Sequence, residues 1–174
     1  MYQVEVKISG ISPLRHNKYT IPDRDGVKFV DVKTKEGAIQ DALNRSYFDD
    51  KKGYYVPKEA LKACIINGAS KFKVKSKLDA IMMFDDDKYF IDSKDYVIEE
   101  GVVRIPPGPK GVRVPKMWVV NKTWGIKFKA TILDETFPSQ KIKDSIINAG
   151  IYFGLLDNRP EYGKFVVDEF KKVK

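Results

Sequence analysis

One segment of this 174-residue chain constrains its fold more than any other. From about Lys58 to Phe72, the residues Leu61, Cys64, Ile65, Gly68 and Phe72 recur at helical spacing and share one face. Pro57 stands just before it, where a fixed φ and a missing N–H suit a first helical turn. This helix is expected to be buried, with Gly68 tolerated because another element approaches it closely. A second helix follows Pro138, with Ser139 as its N-cap, Ile142, Ile146 and Ala149 on one side and Gly150 as the C′ residue.

Strands fill the places these helices leave. Tyr2 to Ser9 alternates with period two and puts Val4, Val6 and Ile8 on one face, ending at Gly10 and Pro13. Phe165 to Phe170 closes the chain as a strand before a lysine-rich tail. Val112 to Val120 and Trp124 to Leu133 flank Asn121-Lys122-Thr123 and read as a hairpin, with Lys127 and Lys129 on one side of its second strand and Ile126, Phe128 and Ala130 on the other. The order strand, helix, hairpin, helix, strand is the split βαβ pattern. It predicts an α+β protein with a ferredoxin-like (RRM/RAMP-like) β-α-β-β-α-β core. Insertions are expected after strand 1, at about 14–57, and after helix 1, at about 73–111. The first holds turn signals at Pro22 and Asp25-Gly26, a short helix from Glu36 to Arg45 and a strand at Tyr54-Tyr55-Val56. The second holds short strands at Leu78 to Phe84, Lys88 to Asp92 and Val102 to Ile105, then a loop from Pro106 to Gly111. One domain over 1–174 fits this length.

Charge is the second constraint. The net charge is +8 with a pI near 9.3, which favours polyanionic partners. Between Glu100 and Asp134 there is no acidic residue, while Arg104, Lys110, Arg113, Lys116, Lys122, Lys127 and Lys129 fall inside together with Trp118 and Trp124. Arg113, Lys116, Lys127 and Lys129 are spaced to follow a phosphate backbone, and either Trp offers a stacking platform; the same pattern also describes a solvated basic face with packed tryptophans. The Pro106–Gly111 loop reads as a finger or as a connector. His16, the only histidine, lies in Arg15-His16-Asn17-Lys18 after strand 1, where it is expected to contact phosphate or, on the alternative, to act as an acid/base.

Several classes lack support. Cys64 stands alone, so it is read as a small core residue with no disulfide partner. There is no paired Cys or His spacing for a metal, Asp85-Asp86-Asp87 reads as a solvated turn, and Walker-type and dinucleotide glycine motifs are missing. No metal and no cofactor is expected. No apolar run reaches the ~20 residues that span a bilayer, and the N-terminus lacks the continuous apolar stretch of a signal peptide; a cytoplasmic location is expected.

Three stretches resemble a recurrent type of small phage-encoded protein: Gly10-Ile11-Ser12-Pro13-Leu14, Tyr54 to Ala63 (YYVPKEALKA) and Asn148 to Phe165 (NAGIYFGLLDNRPEYGKF). The last is also similar to the glycine-rich loop of the RAMP superfamily, the ferredoxin-like RNA-binding proteins of CRISPR effector complexes, with Gly150, Gly154 and Gly163 enclosing Arg159. Its glycines suit close approach of backbone N–H groups to an anion, with Arg159 and Lys164 adding charge and Tyr162 a ring for stacking, although a tight helix-to-strand connection would look the same. The resemblance implies binding of single-stranded nucleic acid, DNA or RNA, without enzymatic activity, with self-association along the strand as an open possibility. The alternatives are a RAMP-type metal-independent endoribonuclease using His16 and an inhibitor or decoy of a host defence complex. The expected contacts are Arg15, His16, Lys18, Arg104, Lys110, Arg113, Lys116, Trp118, Trp124, Lys127, Lys129, Arg159, Tyr162 and Lys164.

Overall fold

The computed structural model describes residues 1–21 and 30–173, so the turn signals at Pro22 and Asp25-Gly26 lie outside the described residues. In chain order the elements are β1 (Tyr2–Gly10), β2 (Leu14–Arg15), α1 (Lys35–Asn44), β3 (Phe48–Asp49), β4 (Gly53–Pro57), α2 (Lys58–Gly68), α3 (Lys75–Ile81), β5 (Met82–Phe84), β6 (Lys88–Phe90), β7 (Val97–Ile105), β8 (Val112–Asn121), β9 (Gly125–Ile132), α4 (Ser139–Tyr152) and β10 (Phe165–Val173).

Period-two alternation in β1 decides the architecture. Val4, Val6 and Ile8 are buried on one face, and β9 and β10 pair antiparallel with its two edges. With β5 beyond β9, the sheet order is β10-β1-β9-β5, and α2 and α4 pack against each other. β1, α2, β5, β9, α4 and β10 thus form the expected ferredoxin-like core. The α2 stripe is fully buried at Leu61, Cys64 and Ile65, and a short 3-10 turn, Ala69–Phe72, extends it. The close approach expected at Gly68 is real: a Cβ there would collide with the Ser145 carbonyl of α4, and Asn148 Nδ2 donates to the Gly68 carbonyl at 2.8 Å.

The hairpin expectation needs correction. β8 does not pair with β9. It pairs with β7 in an unbroken antiparallel ladder from Val97↔Val120 to Ile105↔Val112, and with β2, giving a separate sheet β2-β8-β7. The second core strand is instead β5, inside the stretch expected as an insertion; the strand expected from Leu78 to Phe84 is helical up to Ile81, where α3 buries Leu78, and only Met82–Phe84 pairs. The corner at residues 121–124 explains the switch. Trp124 is buried, with Nε1 donating to the Ser12 carbonyl at 2.8 Å and its ring edge-on to Phe165, while Asn121 is held by His16 and the Asp95 carbonyl. Trp124 is thus fixed against β10 of the main sheet and Asn121 against the residues that flank β2 and β7 of the second, so the chain crosses between the sheets where a tight turn was expected.

Two helix-end assignments also change. Ser139 is already helical, Pro138 occupies the cap position and no side-chain cap bond forms. Gly150 lies within α4 and is buried; a Cβ there would run into the Phe165 carbonyl of β10, so its role is close helix–strand contact. No helix among the described residues is long and apolar enough to cross a membrane.

Candidate nucleic-acid interface

A cluster of cations forms where β2, α1 and β8 meet. Arg15 Nε donates to Asp157 Oδ2 at 3.0 Å, and its guanidinium lies over the Trp118 ring, 3.6 Å from the centroid. Arg45, at the end of α1, donates through Nε to both Asp41 carboxylate oxygens at 3.0 and 3.1 Å. Lys116 donates through Nζ to Asn17 Oδ1 at 2.9 Å. Burial lowers the Lys116 pKa, and the positive charges of Arg45 and Arg15 lower it further against the opposing pull of Asp41 and Asp157. Three cations face two carboxylates, leaving excess positive charge in a half-buried setting where an anion is attracted more strongly than at an open surface.

The glycine-rich segment docks on this cluster. Gly154 and Gly163 take φ of +74° and +75°, which lets the loop between them double back. Leu155 N donates to the Gly163 carbonyl at 3.0 Å, Gly163 N to the Pro13 carbonyl at 2.8 Å and Asp157 N to the Arg15 carbonyl at 3.1 Å. Lys164 N donates to Ser12 Oγ at 2.9 Å, while the amides of Gly154 and Tyr162 bond to the Ala149 and Asn158 carbonyls. The expected cradle of free N–H groups is therefore largely consumed within the protein. What the loop presents is its tip, where Asn158, Arg159, Pro160 and Glu161 are exposed. Tyr162 donates to Glu99 Oε2 at 2.7 Å and packs its ring 5.3 Å from the Arg15 guanidinium, which makes it a strut from the loop to β7.

Between this loop and α2 lies a cleft of about 360 Å³ lined by Asn17, Tyr47, Ala60, Ala63, Leu156 and Arg159, with two carboxylates, Glu59 and Asp157, also in its wall. Small alanines of α2 form part of its lining, Tyr47 supplies an aromatic wall, and Asn17 ties it to Lys116. Lys18, half-exposed, follows Asn17, its backbone N–H bonded to the Arg45 carbonyl at 2.7 Å.

Three expected contacts do not face a ligand. His16 is 1% exposed: Nε2 bonds Asn121 Oδ1 at 2.7 Å and Nδ1 accepts from Tyr47 N–H at 3.1 Å. Burial lowers its pKa to about 4, so it is neutral near pH 7, with both ring nitrogens occupied. It neither touches phosphate nor has a nitrogen free for proton transfer. Trp124 is core, as described, and Trp118 is 5% exposed beneath Arg15, so neither offers a bare stacking face. Phe165 is likewise core.

The remaining basic residues lie elsewhere. Arg104, Lys110 and Arg113 are exposed around the tip of the long β7–β8 hairpin, with Arg104 Nη1 bonded to the Pro109 and Gly111 carbonyls at 3.2 and 3.1 Å. The Pro106–Gly111 loop is thus the end of a finger. Lys127 and Lys129 line a different groove, on the sheet face away from the buried side of β1, together with Glu5, Lys7, Glu169 and Lys171. There Lys129 pairs with Glu5 at 2.6 Å, and Lys127 sits opposite Lys7. The glycine-rich loop and the β9 lysines do not line one groove. Sequence reasoning passed over Asn17, Arg45 and Tyr47; only the position of Asn17 beside Arg15 and His16 signalled any of them.

The three aspartates 85–87 diverge as expected of a turn: Asp87 pairs with Lys58, Asp85 accepts from Thr131 Oγ1 at 3.3 Å, and Asp86 N donates to Tyr89 Oη. Among the described residues no three His, Cys, Asp or Glu side chains group to hold a metal ion.

No protein-family model matches the sequence, and no curated protein matches it. Solved structures do. A chain of the type III-B Cmr-beta complex, solved bound to cognate target RNA, superposes with a TM-score of 0.66 at 14% identity, covering 99% of this chain and 61% of that one. This chain therefore spans about three fifths of that subunit's length. Cmr6 from Pyrococcus furiosus superposes with a TM-score of 0.50 at 10% identity, covering 94% and 96% of the two chains. At these identities the similarity shows a shared fold and nothing more.

Proposed function

We propose that this chain binds single-stranded nucleic acid, RNA in preference to DNA, without cleaving it. The observation that carries the reading is the Arg15–Arg45–Lys116 cluster, which holds excess positive charge and is joined through Asn17 and Asp157 to a cleft lined by Arg159, the aromatic Tyr47 and the carboxylate Glu59, while Arg45 and Lys116 themselves line a second groove with Val103 and Val114. Such a cleft meets the two needs of single-strand binding: cations that replace counterions along the backbone and a ring for base stacking. The preference for RNA draws on the RNA-bound Cmr complex that shares the fold. The ribonuclease alternative loses its acid/base, since His16 is sealed from solvent. The likeness of its glycine-rich segment to phage-encoded proteins makes the host cytoplasm its place of action in this reading.

Fluorescence anisotropy against labelled single-stranded RNA, single-stranded DNA and duplex tests it. Wild type is expected to bind single strands best, with Arg159→Glu and Lys18→Glu each weakening binding. Unchanged affinity in both variants would remove the cleft as the site.

A further inference from the structure

The second sheet ends in an edge that no other strand among the described residues pairs with. β7 is nine residues long, and among the described residues it pairs with β8 and with no other strand. Proteins blunt such edges with short strands, bulges, prolines or lysines, because a long free edge pairs with other chains. Both outer strands of the main sheet are protected in this way: β5 has three residues, and β10 carries Lys171 and Lys172 and a register shift against β1 at Lys7/Ile8. β7 contains neither proline nor lysine, and its register with β8 is continuous.

The exposed side chains of β7 are also self-complementary. Glu100, Val102 and Arg104 stand on one face of the strand, all exposed, Val102 at 64%. Glu100 has no ion-pair or hydrogen-bond partner among the described residues, and Arg104 engages only Nη1, with backbone carbonyls. An antiparallel pairing of two β7 strands about a two-fold axis at Val102 sets Glu100 of each copy opposite Arg104 of the other, with Val102 against Val102. Opposite charges and apolar residues facing each other across strands stabilise such a pair, and a two-fold axis repeats each contact.

We propose that β7 is the interface of a homodimer, in which two copies of this chain join edge to edge into a continuous β8-β7-β7-β8 sheet. Nucleic acid is not part of this interface, so it stands or falls separately from the function proposed above. A second copy is favoured over an unrelated peptide because the Glu100/Arg104 pattern matches itself in reverse.

Sedimentation equilibrium of the nucleic-acid-free protein tests it. The mass is expected to rise with concentration from the 19.9 kDa monomer to twice that value. Glu100→Arg places like charges opposite each other at two symmetric positions and should weaken the dimer about tenfold. The double variant E100R/R104E restores opposite charges and should recover it. Val102→Lys, at an exposed position, should also dissociate the dimer while leaving the monomer folded. Wild type that stays monomeric at all concentrations, Glu100→Arg or Val102→Lys proteins that dimerise as wild type does, or a double variant as weak as the single one would each overturn the proposal.

Discussion

The buried histidine gives a quantitative test of the fold around the cleft. His16 bridges Asn121, the last residue of β8, and Tyr47, whose ring lines the cleft, so its environment reports on the joint between the two. Its pKa is lowered from 6.5 to about 4 by burial, with the Asn121 bond acting in the opposite direction. Below pH 6.5 the unfolded chain takes up a proton that the folded chain resists, so the stability that comes from keeping His16 neutral is fully present above pH 6.5 and declines toward pH 4. Below that both states are protonated and the loss stops. A gap of this size corresponds to about 3 kcal/mol. The assay is urea unfolding of wild type and His16→Gln across this window. The variant loses about 1–3 kcal/mol at neutral pH, because a buried donor or acceptor is left without its partner. The stability difference between the two proteins should then shrink as pH falls and reverse by about pH 4, earlier the smaller the variant's deficit at neutral pH, while carboxylate titrations affect both proteins alike. As His16 is the only histidine, its ring protons also report the pKa directly by NMR. A stability difference constant from pH 6.5 to 4, or a ring that titrates near 6.5, would refute the burial argument.

Other outcomes follow from the same structure. Leu61→Ala, at a fully buried position in α2, should cost about 2–5 kcal/mol, read from chemical denaturation. Cys64, fully buried with its thiol pKa pushed up to about 12, should resist alkylation in the folded protein and react once urea unfolds it. Arg159→Glu should weaken RNA binding more than Lys127→Glu, with melting temperatures nearly unchanged, since the two residues line different grooves and are exposed; equal losses in anisotropy titrations would mean a strand reaches both.

The parts of the fold legible in the sequence were those whose periodicity and punctuation agree. β1 and α2 announce themselves through Val4, Val6, Ile8 and through Leu61, Cys64 and Ile65, all buried. β5 was legible only as the end of a longer strand read from Leu78 to Phe84, because nothing in that apolar run marks where the helix α3 stops and the three residues Met82–Phe84 begin to pair. The apolar runs of β8 and β9 were legible as strands but not as to partner: alternation reports which face is buried and says nothing of which strand lies alongside. The candidate site was half legible. Arg159 was named and lines the cleft, while Arg15 and Lys116 were named and reach it only through their bonds to Asp157 and Asn17, and Lys18 only as the neighbour of Asn17. Arg45 closes a polar helix and Tyr47 lies in a loop, so neither carries a pattern. His16, Trp118 and Trp124 were misread as ligand contacts because their chemistry suits either a site or a packed joint, and only the hydrogen bonds and burial separate the two.

The most direct test of nucleic-acid binding through the cleft is the salt dependence of anisotropy with a short labelled RNA strand. A strand that runs from the cleft past Asn17 onto the groove lined by Arg45 and Lys116 meets about four cations, Arg159, Lys18, Lys116 and Arg45, and should release about 0.7 counterion for each, giving a log–log slope of roughly −3. Arg159→Glu should make that slope shallower by about 0.7. Binding with a slope near zero, or none at low salt, would contradict the account.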